Sequence, residues 1–320
     1  MTQFGYTLAS EEHPPNDLVR HARRAEELGF DFLSISDHFH PWISEQGQSP
    51  FVWSTIGGVA SVTERIELGV GVACPLIRIH PAIVAQAAAT SAVMLEGRFF
   101  LGVGTGELLN EHVVGARWPA IEIRQEMLRE AVDIIRRLCT GDDVDHHGRY
   151  YEVENARLFT HPEDVPPIIV SAFGPAAVEM AAEIGDGLWS TSPDPELLQQ
   201  YGDAGGKGPR IGQVTLCWAD NREDAIRTAH RVWPTSGIPG QLSQELPTPT
   251  TFEQAAQLVT PEAIAQKLPC GPGVEPVLEA IRAYEQAGFD RLHLHQIGPD
   301  QDGFFRFWEK ELQPALADGS

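Results

Sequence analysis

Short apolar runs alternate with longer amphipathic segments along most of this chain. The short runs have the length and composition of buried strands, and the longer segments repeat apolar residues at helical spacing. Alternation of this kind predicts parallel strands joined by crossover helices. The predicted strands span residues 4–8, 31–36, 66–73, 98–103, 168–171, 187–189, 210–218 and 291–295, and the predicted helices include 16–28, 51–63, 81–95, 121–138, 175–184 and one that begins at Arg222.

The number of these units predicts the fold class. About eight strands and eight helices in 320 residues fit an α/β fold of the (β/α)8 TIM-barrel type better than an open doubly wound sheet. We expect a single domain over residues 1–320 with two insertions. Residues 142–160 predict an inserted hairpin. Residues 233–276 are rich in Pro, Gly, Thr and Gln and predict a large insertion that shapes the substrate mouth.

Net charge narrows the range of partners. The chain carries 23 basic and 45 acidic side chains, a formal net charge of −22, and such a field repels nucleic acid and anionic membrane surfaces. No apolar run approaches the ~20 residues of a membrane span, and the N-terminus lacks a secretion signal. The four cysteines are far apart and form no C-x-x-C pair, which fits a reducing compartment. We therefore expect a cytoplasmic protein that acts on a small molecule.

Residues 36–42, Ser-Asp-His-Phe-His-Pro-Trp, directly follow an apolar run that reads as a strand. In α/β folds, ligands bind where strands end. His38 is the best candidate for a general base, because an imidazole titrates near neutral pH and can take a hydroxyl proton while a hydride leaves the same carbon. Asp37 is placed to orient this imidazole, and Trp42 adds a large aromatic ring. A structural histidine with a capping aspartate is the alternative.

Chemistry-bearing side chains follow other predicted strands and would face the same mouth. Residues 102–107, Gly-Val-Gly-Thr-Gly-Glu, carry glutamate where a Rossmann fingerprint needs glycine, so they predict a tight strand exit that lets a flat ring approach the backbone. Residues 171–175 predict either a phosphate-binding helix N-terminus or an ordinary turn. The candidates at the strand ends are Glu11, His38, Trp42, Val72, Cys74, Glu107, Asn110, Phe173 and Gly174.

Two histidine pairs leave a metal-dependent hydrolase open as a remote alternative. His38 with His40, and His293 with His295, would each point to one side of an extended strand. A mononuclear metal site would use such a pair with an added carboxylate. Bulky residues crowd the first pair, and the second lies in an apolar strand where a core role is more usual. We therefore expect no metal.

Across nearly its whole length, the sequence resembles the luciferase-like monooxygenase superfamily. Within it, the sequence is most similar to the deazaflavin (coenzyme F420)-dependent oxidoreductases typified by F420-dependent glucose-6-phosphate dehydrogenase. The resemblance rests on residues 36–42, 46–53, 74–86 and 102–111. It implies an insertion-bearing barrel of the bacterial luciferase type that holds the deazaflavin at its C-terminal mouth. It also implies hydride transfer between a CH–OH carbon and carbon 5 of the deazaflavin, and a homodimer.

The resemblance assigns roles to individual residues. His38 would handle the substrate hydroxyl proton, and Trp42 would stabilise the reacting species. Glu107 would lie near the ring nitrogen that gains a proton, and Glu11 would line the substrate side. A non-proline cis peptide is implied at Gly71–Val72.

The same resemblance implies a set of cofactor contacts. Cys74 stands where some relatives have a threonine that contacts the cofactor. Arg78 and the helix start at Gly174 are candidates for holding the anionic tail of the coenzyme. The expected cofactor-binding residues are Asp37, Gly71, Val72, Cys74, Asn110, Ala172, Phe173 and Gly174.

The resemblance is less specific for the substrate. The sugar-phosphate enzymes of this branch hold phosphate with a basic cluster, and here Asp194 and Gln254 align with two of its lysines. An anionic Asp194 would repel phosphate, so we expect a neutral alcohol or similar small substrate. A sugar phosphate held by Arg282 or by an arginine on the insertion is the alternative. An FMN-dependent monooxygenase is the second alternative.

Overall fold

Ten strands lie within residues 2–318, the part of the chain that the computed structural model describes. They are β1 (Gln3–Leu8), β2 (Phe32–Ile35), β3 (Glu67–Ala73), β4 (Phe99–Val103), β5 (Val144–His147), β6 (Glu152–Ala156), β7 (Ile168–Ser171), β8 (Gly187–Ser190), β9 (Arg210–Leu216) and β10 (Arg291–Gln296). Eight of them form a closed parallel barrel in the order β1, β2, β3, β4, β7, β8, β9, β10. The strands β5 and β6 pair only with each other, as the hairpin predicted between the fourth and fifth barrel strands. The predicted (β/α)8 barrel is confirmed.

Helices cover the outside of the barrel and form the loops at its ends. They are α1 (Pro15–Glu27), α2 (Val52–Ala60), α3 (Pro81–Met94), α4 (Leu108–Glu111), α5 (Ile121–Cys139), α6 (Pro175–Ile184), α7 (Pro195–Asp203), α8 (Arg222–Val232), α9 (Leu242–Glu245), α10 (Pro249–Ala256), α11 (Pro261–Lys267), α12 (Val274–Ala287), α13 (Gln301–Phe307) and α14 (Gln313–Asp318). None of the described helices is long and apolar enough to cross a membrane.

Several helices were not named by the sequence pattern, among them α7 and α12. The start of α7 does carry a signal, because Asp194 caps it by accepting from the N–H groups of Glu196 and Leu197 at 3.0 and 3.3 Å. An Asp-Pro-Glu sequence at a helix start is a common capping pattern. The helix α12 has an apolar face that packs on β9, but it directly follows the irregular insertion, which masked its beginning.

Large side chains fill the barrel interior. A Cβ on Gly69 would overlap the Phe100 ring, so glycine there makes room for an aromatic side chain. The Arg291 guanidinium lies 4.3 Å from the centre of the Phe32 ring. Nearer the C-terminal ends of the strands, Val72, Gln213 and Thr215 are only half-buried, so the barrel opens there into a mouth. The buried interior cluster consists of Phe32, Phe100, Ile169, Trp189 and Ile211.

The predicted insertion, residues 233–276, lies between α8 and α12 and carries α9, α10 and α11. Phe252 of α10 is fully buried, and its ring packs edge-on against Trp42 with 5.2 Å between ring centres. Leu109 and Ile238 belong to the same apolar cluster. The insertion therefore covers the loop after β2, where the candidate base His38 lies.

Candidate active site

Glu11, His38 and Trp42 come together at the mouth, from the loops after β1 and β2. Glu11 Oε1 lies 3.3 Å from His38 Nε2, and both side chains are at least nine-tenths buried. The Trp42 ring lies 4.8 Å from the His38 ring, centre to centre. Adjacent parallel strands place their C-terminal loops side by side, which explains why residues 27 positions apart in sequence meet here.

The other ring nitrogen of His38 is held by the protein. His38 Nδ1 lies 3.1 Å from the His40 carbonyl oxygen and 3.1 Å from Asn110 Nδ2. Asn110 Oδ1 accepts from the backbone N–H groups of Phe39 and His40 at 2.9 and 3.2 Å. Asn110 therefore fixes the backbone on both sides of this segment, and Nε2 is the His38 nitrogen that remains for chemistry.

Glu11, rather than Asp37, is the carboxylate that contacts His38. The Ser36 hydroxyl donates to Glu11 Oε2 at 2.7 Å and fixes the carboxylate in place. Asp37 instead lies 2.9 Å from the Arg78 guanidinium, with both side chains buried. The expectation that Asp37 orients His38 is wrong, because the buried Arg78 holds the Asp37 carboxylate and Glu11 faces the imidazole.

Arg78 joins three consecutive loops through two buried carboxylates. Besides Asp37, it contacts Glu111, whose Oε1 lies 3.4 Å from Arg78 Nε and whose Oε2 accepts from the Arg78 backbone N–H at 2.8 Å. Burial raises the pKa of Glu111, although the backbone hydrogen bond and the positive charge of Arg78 oppose that rise. The charge of Arg78 is thus balanced by its own neighbours, which weighs against the idea that it holds the anionic tail of a coenzyme.

The exits of β3 and β4 lie against each other. The predicted cis peptide bond between Gly71 and Val72 is confirmed. A Cβ on Gly104 would lie 3.0 Å from a methyl group of Val72, and Gly106 has a φ of +75° with the Cys74 sulfur 2.5 Å from its would-be Cβ. Glycine at these two positions lets the β4 exit approach β3 closely. Burial raises the pKa of the Cys74 thiol.

The remaining sequence-predicted residues lie at neighbouring strand ends. Glu107 is half-buried, precedes α4, and its carboxylate makes no hydrogen bond with any described residue. Ala172 is buried, and its N–H donates to the Trp189 carbonyl at 2.9 Å. Phe173 is 54% exposed, and Gly174 begins α6 without a side-chain cap. None of these four contacts the Glu11–His38 pair, so their expected cofactor role stays a prediction.

A second glutamate–histidine pair lies beside the first, and the sequence pattern did not identify it. Glu12 Oε1 lies 3.9 Å from His295 Nε2, and the two side chains are 5% and 3% exposed. Glu12 Oε2 accepts from the Gly298 N–H at 2.7 Å. Burial raises the pKa of Glu12 to about 8 and lowers that of His295 to about 4. The period-two spacing of His293 and His295 was a signal for this region, because it placed both rings on one face of β10.

His293 has a structural role. Its Nδ1 lies 2.7 Å from Thr7 Oγ1 and 3.0 Å from Ser34 Oγ, and its ring packs edge-on against Trp189. The structure does not show His38 and His40 on one side of a strand, because the segment after Ile35 is irregular. Within residues 2–318 there is no group of three or more His, Cys, Asp or Glu side chains placed to hold a metal ion.

Comparison with known proteins adds to this geometry. A family model described as luciferase-like monooxygenase matches residues 1–291. The F420-dependent glucose-6-phosphate dehydrogenases of Microbacterium testaceum and Segniliparus rotundus are both 34% identical to this chain; each alignment covers 98% of it, with 97% and 98% of the respective relatives. A solved F420-dependent secondary alcohol dehydrogenase, in complex with an F420–acetone adduct, superposes with a TM-score of 0.91 at 29% identity, over 98% of this chain and 99% of that one.

Proposed function

The chain belongs to the luciferase-like monooxygenase family, and we propose that it is a coenzyme F420-dependent oxidoreductase that interconverts an uncharged alcohol and its carbonyl compound. The observation that carries this proposal is the Glu11–His38–Trp42 arrangement at the mouth of the barrel. A base facing an open mouth suits removal of a hydroxyl proton. The curated relatives are named for glucose-6-phosphate and the structural neighbour for a secondary alcohol, so the two differ in substrate charge.

The residues at the mouth fit a deazaflavin. Val72 offers an apolar, half-buried surface beside the close-packed glycines of the β4 exit. Glu107 lies at this exit with no hydrogen-bond partner among the described residues, so it is available to a ring nitrogen. The start of α6 at Gly174 has open space and no side-chain cap, as an anionic tail requires. When bound, the deazaflavin supplies a hydride acceptor at its carbon 5.

His38 is the residue that takes the hydroxyl proton. With its own proton on Nδ1, the ring donates to the His40 carbonyl, and Nε2 keeps its lone pair at the mouth, beside Glu11. Nε2 accepts the proton as the substrate carbon gives up its hydride, and the imidazolium that forms faces the Glu11 carboxylate at 3.3 Å. The Trp42 ring packs against the His38 ring, and Phe252 in turn packs against Trp42 and supports it. In the reverse direction, the same nitrogen returns the proton to the carbonyl oxygen.

The basic groups near the mouth favour an uncharged substrate, because they are already paired. Arg231 pairs with Glu45 at 2.6 Å, and Lys267 Nζ donates to the Ser236 carbonyl at 3.1 Å. The insertion over residues 233–276 contains no arginine, so one of the two expected substitutes for the lost cluster does not exist. The other, Arg282, pairs with Glu275 at 2.8 Å on the surface.

The first experiment is an anaerobic titration of the purified protein with oxidised F420 and, separately, with FMN. 2-Propanol or glucose-6-phosphate is then added, and the absorbance of the deazaflavin is recorded. We expect F420 to bind and to bleach with 2-propanol. Bleaching with glucose-6-phosphate alone would assign a sugar-phosphate dehydrogenase instead, and binding of FMN alone would assign a monooxygenase.

The proposed enzyme is a cytoplasmic homodimer. Support comes from the four dispersed, unpaired thiols and from the family resemblance. Light scattering coupled to size-exclusion chromatography tests the dimer, since one chain has a mass of 35.1 kDa. Fractionation of the source cells tests the compartment.

A further inference from the structure

The side chain of Gln213 lies inside the barrel, one step above the buried interior cluster. Ile211 belongs to that cluster, whereas Gln213 and Thr215, which follow it at every second position of β9, are only half-buried. Residues two positions apart on a strand face the same side of the sheet, so all three side chains point into the barrel. The open mouth therefore reaches down to Gln213.

The Trp189 ring separates this part of the mouth from the core beneath it. Trp189 of β8 is paired with Ile211 of β9, two residues before Gln213. A Cβ on Gly71 of β3 would lie 2.5 Å from the Trp189 ring, so the ring extends across the barrel from β8 to β3. It is 3% exposed. A ligand in the mouth would rest above this ring, at the level of Gln213.

Val72 lies across the mouth from Gln213. In the closed order of the barrel, four steps separate β3 from β9 in either direction, so the two strands are opposite each other. Val72 is half-buried and packs against the same interior cluster as Ile211. The proposed function places the deazaflavin beside Val72. A substrate bound between the deazaflavin and β9 would therefore meet the side chain of Gln213.

Two acceptors hold the nitrogen of the Gln213 amide. Nε2 donates to Thr215 Oγ1 at 3.0 Å and lies 3.3 Å from His295 Nδ1. An amide nitrogen has two hydrogens to donate and accepts none, so His295 Nδ1 is the acceptor in the second contact. His295 and Thr215 are paired across β10 and β9, which places both acceptors on the interior face of the barrel. These contacts use both hydrogens and fix the orientation of the amide.

The oxygen of the same amide is left for a ligand. Gln213 Oε1 accepts no hydrogen bond from any residue within 2–318, and it is not one of the enclosed polar atoms of that part of the chain. It is therefore accessible from the mouth. An amide oxygen accepts hydrogen bonds but does not donate them, so it favours a ligand that brings a hydroxyl or an N–H group.

We propose that Gln213 is a substrate-binding residue whose amide oxygen accepts a hydrogen bond from a second hydroxyl group of the alcohol. This inference rests on the proposed function and narrows its substrate class to uncharged alcohols that carry such a second hydroxyl. Thr215 and His295 are positioning residues, because they hold the amide nitrogen. A substrate whose second oxygen is methylated cannot donate and loses this interaction.

The test compares diols with their methyl ethers. One pair is 1,2-propanediol and 1-methoxy-2-propanol, and a pair with a longer spacing is 1,3-butanediol and 4-methoxy-2-butanol. The measured quantity is the ratio of kcat/KM for the diol to that for its ether. We expect a ratio above one in the wild type for at least one pair. In Gln213→Met, which keeps the length of the side chain but removes the amide, that ratio should fall about five- to tenfold.

Further variants separate the amide oxygen from a merely structural role of the side chain. Gln213→Glu keeps an acceptor oxygen at this position and should retain the preference for the diol. Thr215→Val keeps the shape of the threonine but removes one anchor of the amide nitrogen, and should lower the ratio about two- to fourfold. Gln199→Met, at an exposed position on α7, is the matched control and should leave the ratio unchanged.

Two outcomes would overturn the proposal. The first is a ratio in Gln213→Met that equals the ratio in the control for both pairs, which would mean that no acceptor oxygen of Gln213 faces the substrate. The second is a wild-type preference for the ether in both pairs.

Failure of the proposed function gives a different result, since no alcohol then bleaches F420. Saturation-transfer NMR, in which each diol competes with its ether for the protein, still measures the preference without turnover. The same fall in preference for the diol is expected in Gln213→Met. Equal preferences in the wild type and in Gln213→Met would contradict the assignment of Gln213, whether or not the alcohols react.

Discussion

Glu11 and Glu12 are consecutive residues on one loop, yet they form two glutamate–histidine pairs of opposite character. The Glu11–His38 pair lies at the open mouth, held by Ser36 and Asn110, with the partner atoms 3.3 Å apart. The Glu12–His295 pair is enclosed, and burial favours the neutral form of both members. The same two residue types therefore serve as a proton acceptor with a counter-charge in one place and as a buried pair that favours the neutral forms in the other. Environment, not residue type, decides between them.

Removing His38, the histidine at the open mouth, should have the largest effect on turnover. We expect His38→Ala to lower turnover about 10²- to 10⁴-fold, because general base catalysis has that typical size, while deazaflavin affinity stays nearly intact. Stopped-flow absorbance gives the first quantity and fluorescence titration the second. His147→Ala, an exposed histidine on β5, is the matched control. Loss of cofactor binding without a separable effect on chemistry would argue against the base assignment.

Replacing Glu11 with glutamine tests whether the negative charge of this residue contributes to catalysis. Glu11→Gln should lower kcat roughly 10- to 100-fold, since an interaction with a charged group contributes about 1.5–3 kcal/mol, and should change KM little. The physical reason is that the imidazolium of His38 forms only during the reaction and then faces an amide instead of a carboxylate. A rise in KM at constant kcat would instead mean that Glu11 only binds substrate.

The buried Glu12–His295 pair should affect how the free energy of unfolding depends on pH. The pKa of Glu12 rises on folding from 4.5 to about 8, so the folded state holds a proton that the unfolded state releases in this range. The contribution of Glu12 to the free energy of unfolding therefore falls as pH rises from 5 to 8, by about 2 kcal/mol once structural relaxation reduces the ~1.4 kcal/mol per pKa unit.

Glu12→Gln lacks this titration, and urea unfolding at pH 5 and pH 8 measures the difference. We expect the stability of the variant relative to the wild type to be higher at pH 8 than at pH 5. An equal difference at both values would show that Glu12 is ionised in the folded protein.

The smallest expected effect on turnover comes from removing the Ser36 hydroxyl, which donates to Glu11. Ser36→Ala removes the 2.7 Å hydrogen bond to Glu11 Oε2 and should lower kcat about two- to tenfold, in line with one hydrogen bond. Steady-state kinetics with 2-propanol measures it. Thr90→Ala, which removes an exposed hydroxyl on α3, is the control. A loss as large as that in Glu11→Gln would mean that the loop itself has moved.

Much of the barrel could be predicted because its signals are local. Apolar runs identified all eight barrel strands to within a few residues, and the helix α6 was predicted at its observed bounds, Pro175–Ile184. The glycine run after Phe100 indicated a tight exit, and Gly104 and Gly106 lie against β3 as that pattern requires. The start of α12 was obscured by the irregular insertion before it.

The candidate site was predicted residue by residue but not as a set of contacts. His38 and Trp42 could be recognised as candidates from the strand end that precedes them. That Asp37 turns away to Arg78 while Glu11 turns to His38 was not predictable, because it depends on how three loops pack. The Arg78 contacts with Asp37 and Glu111 join loops that are far apart in sequence.

The sequence by itself determined the alternation of strands and helices, the acidic surface and the position of His38 at a strand end, since each follows from local composition and spacing. Only the tertiary structure decided which carboxylate faces which histidine. Closure of the barrel places β10 beside β1, and this brings His295 to within 3.9 Å of Glu12, 283 residues earlier in the chain. Burial at that contact is a property of the assembled barrel, and it turns an ordinary Glu and an ordinary His into a neutral pair.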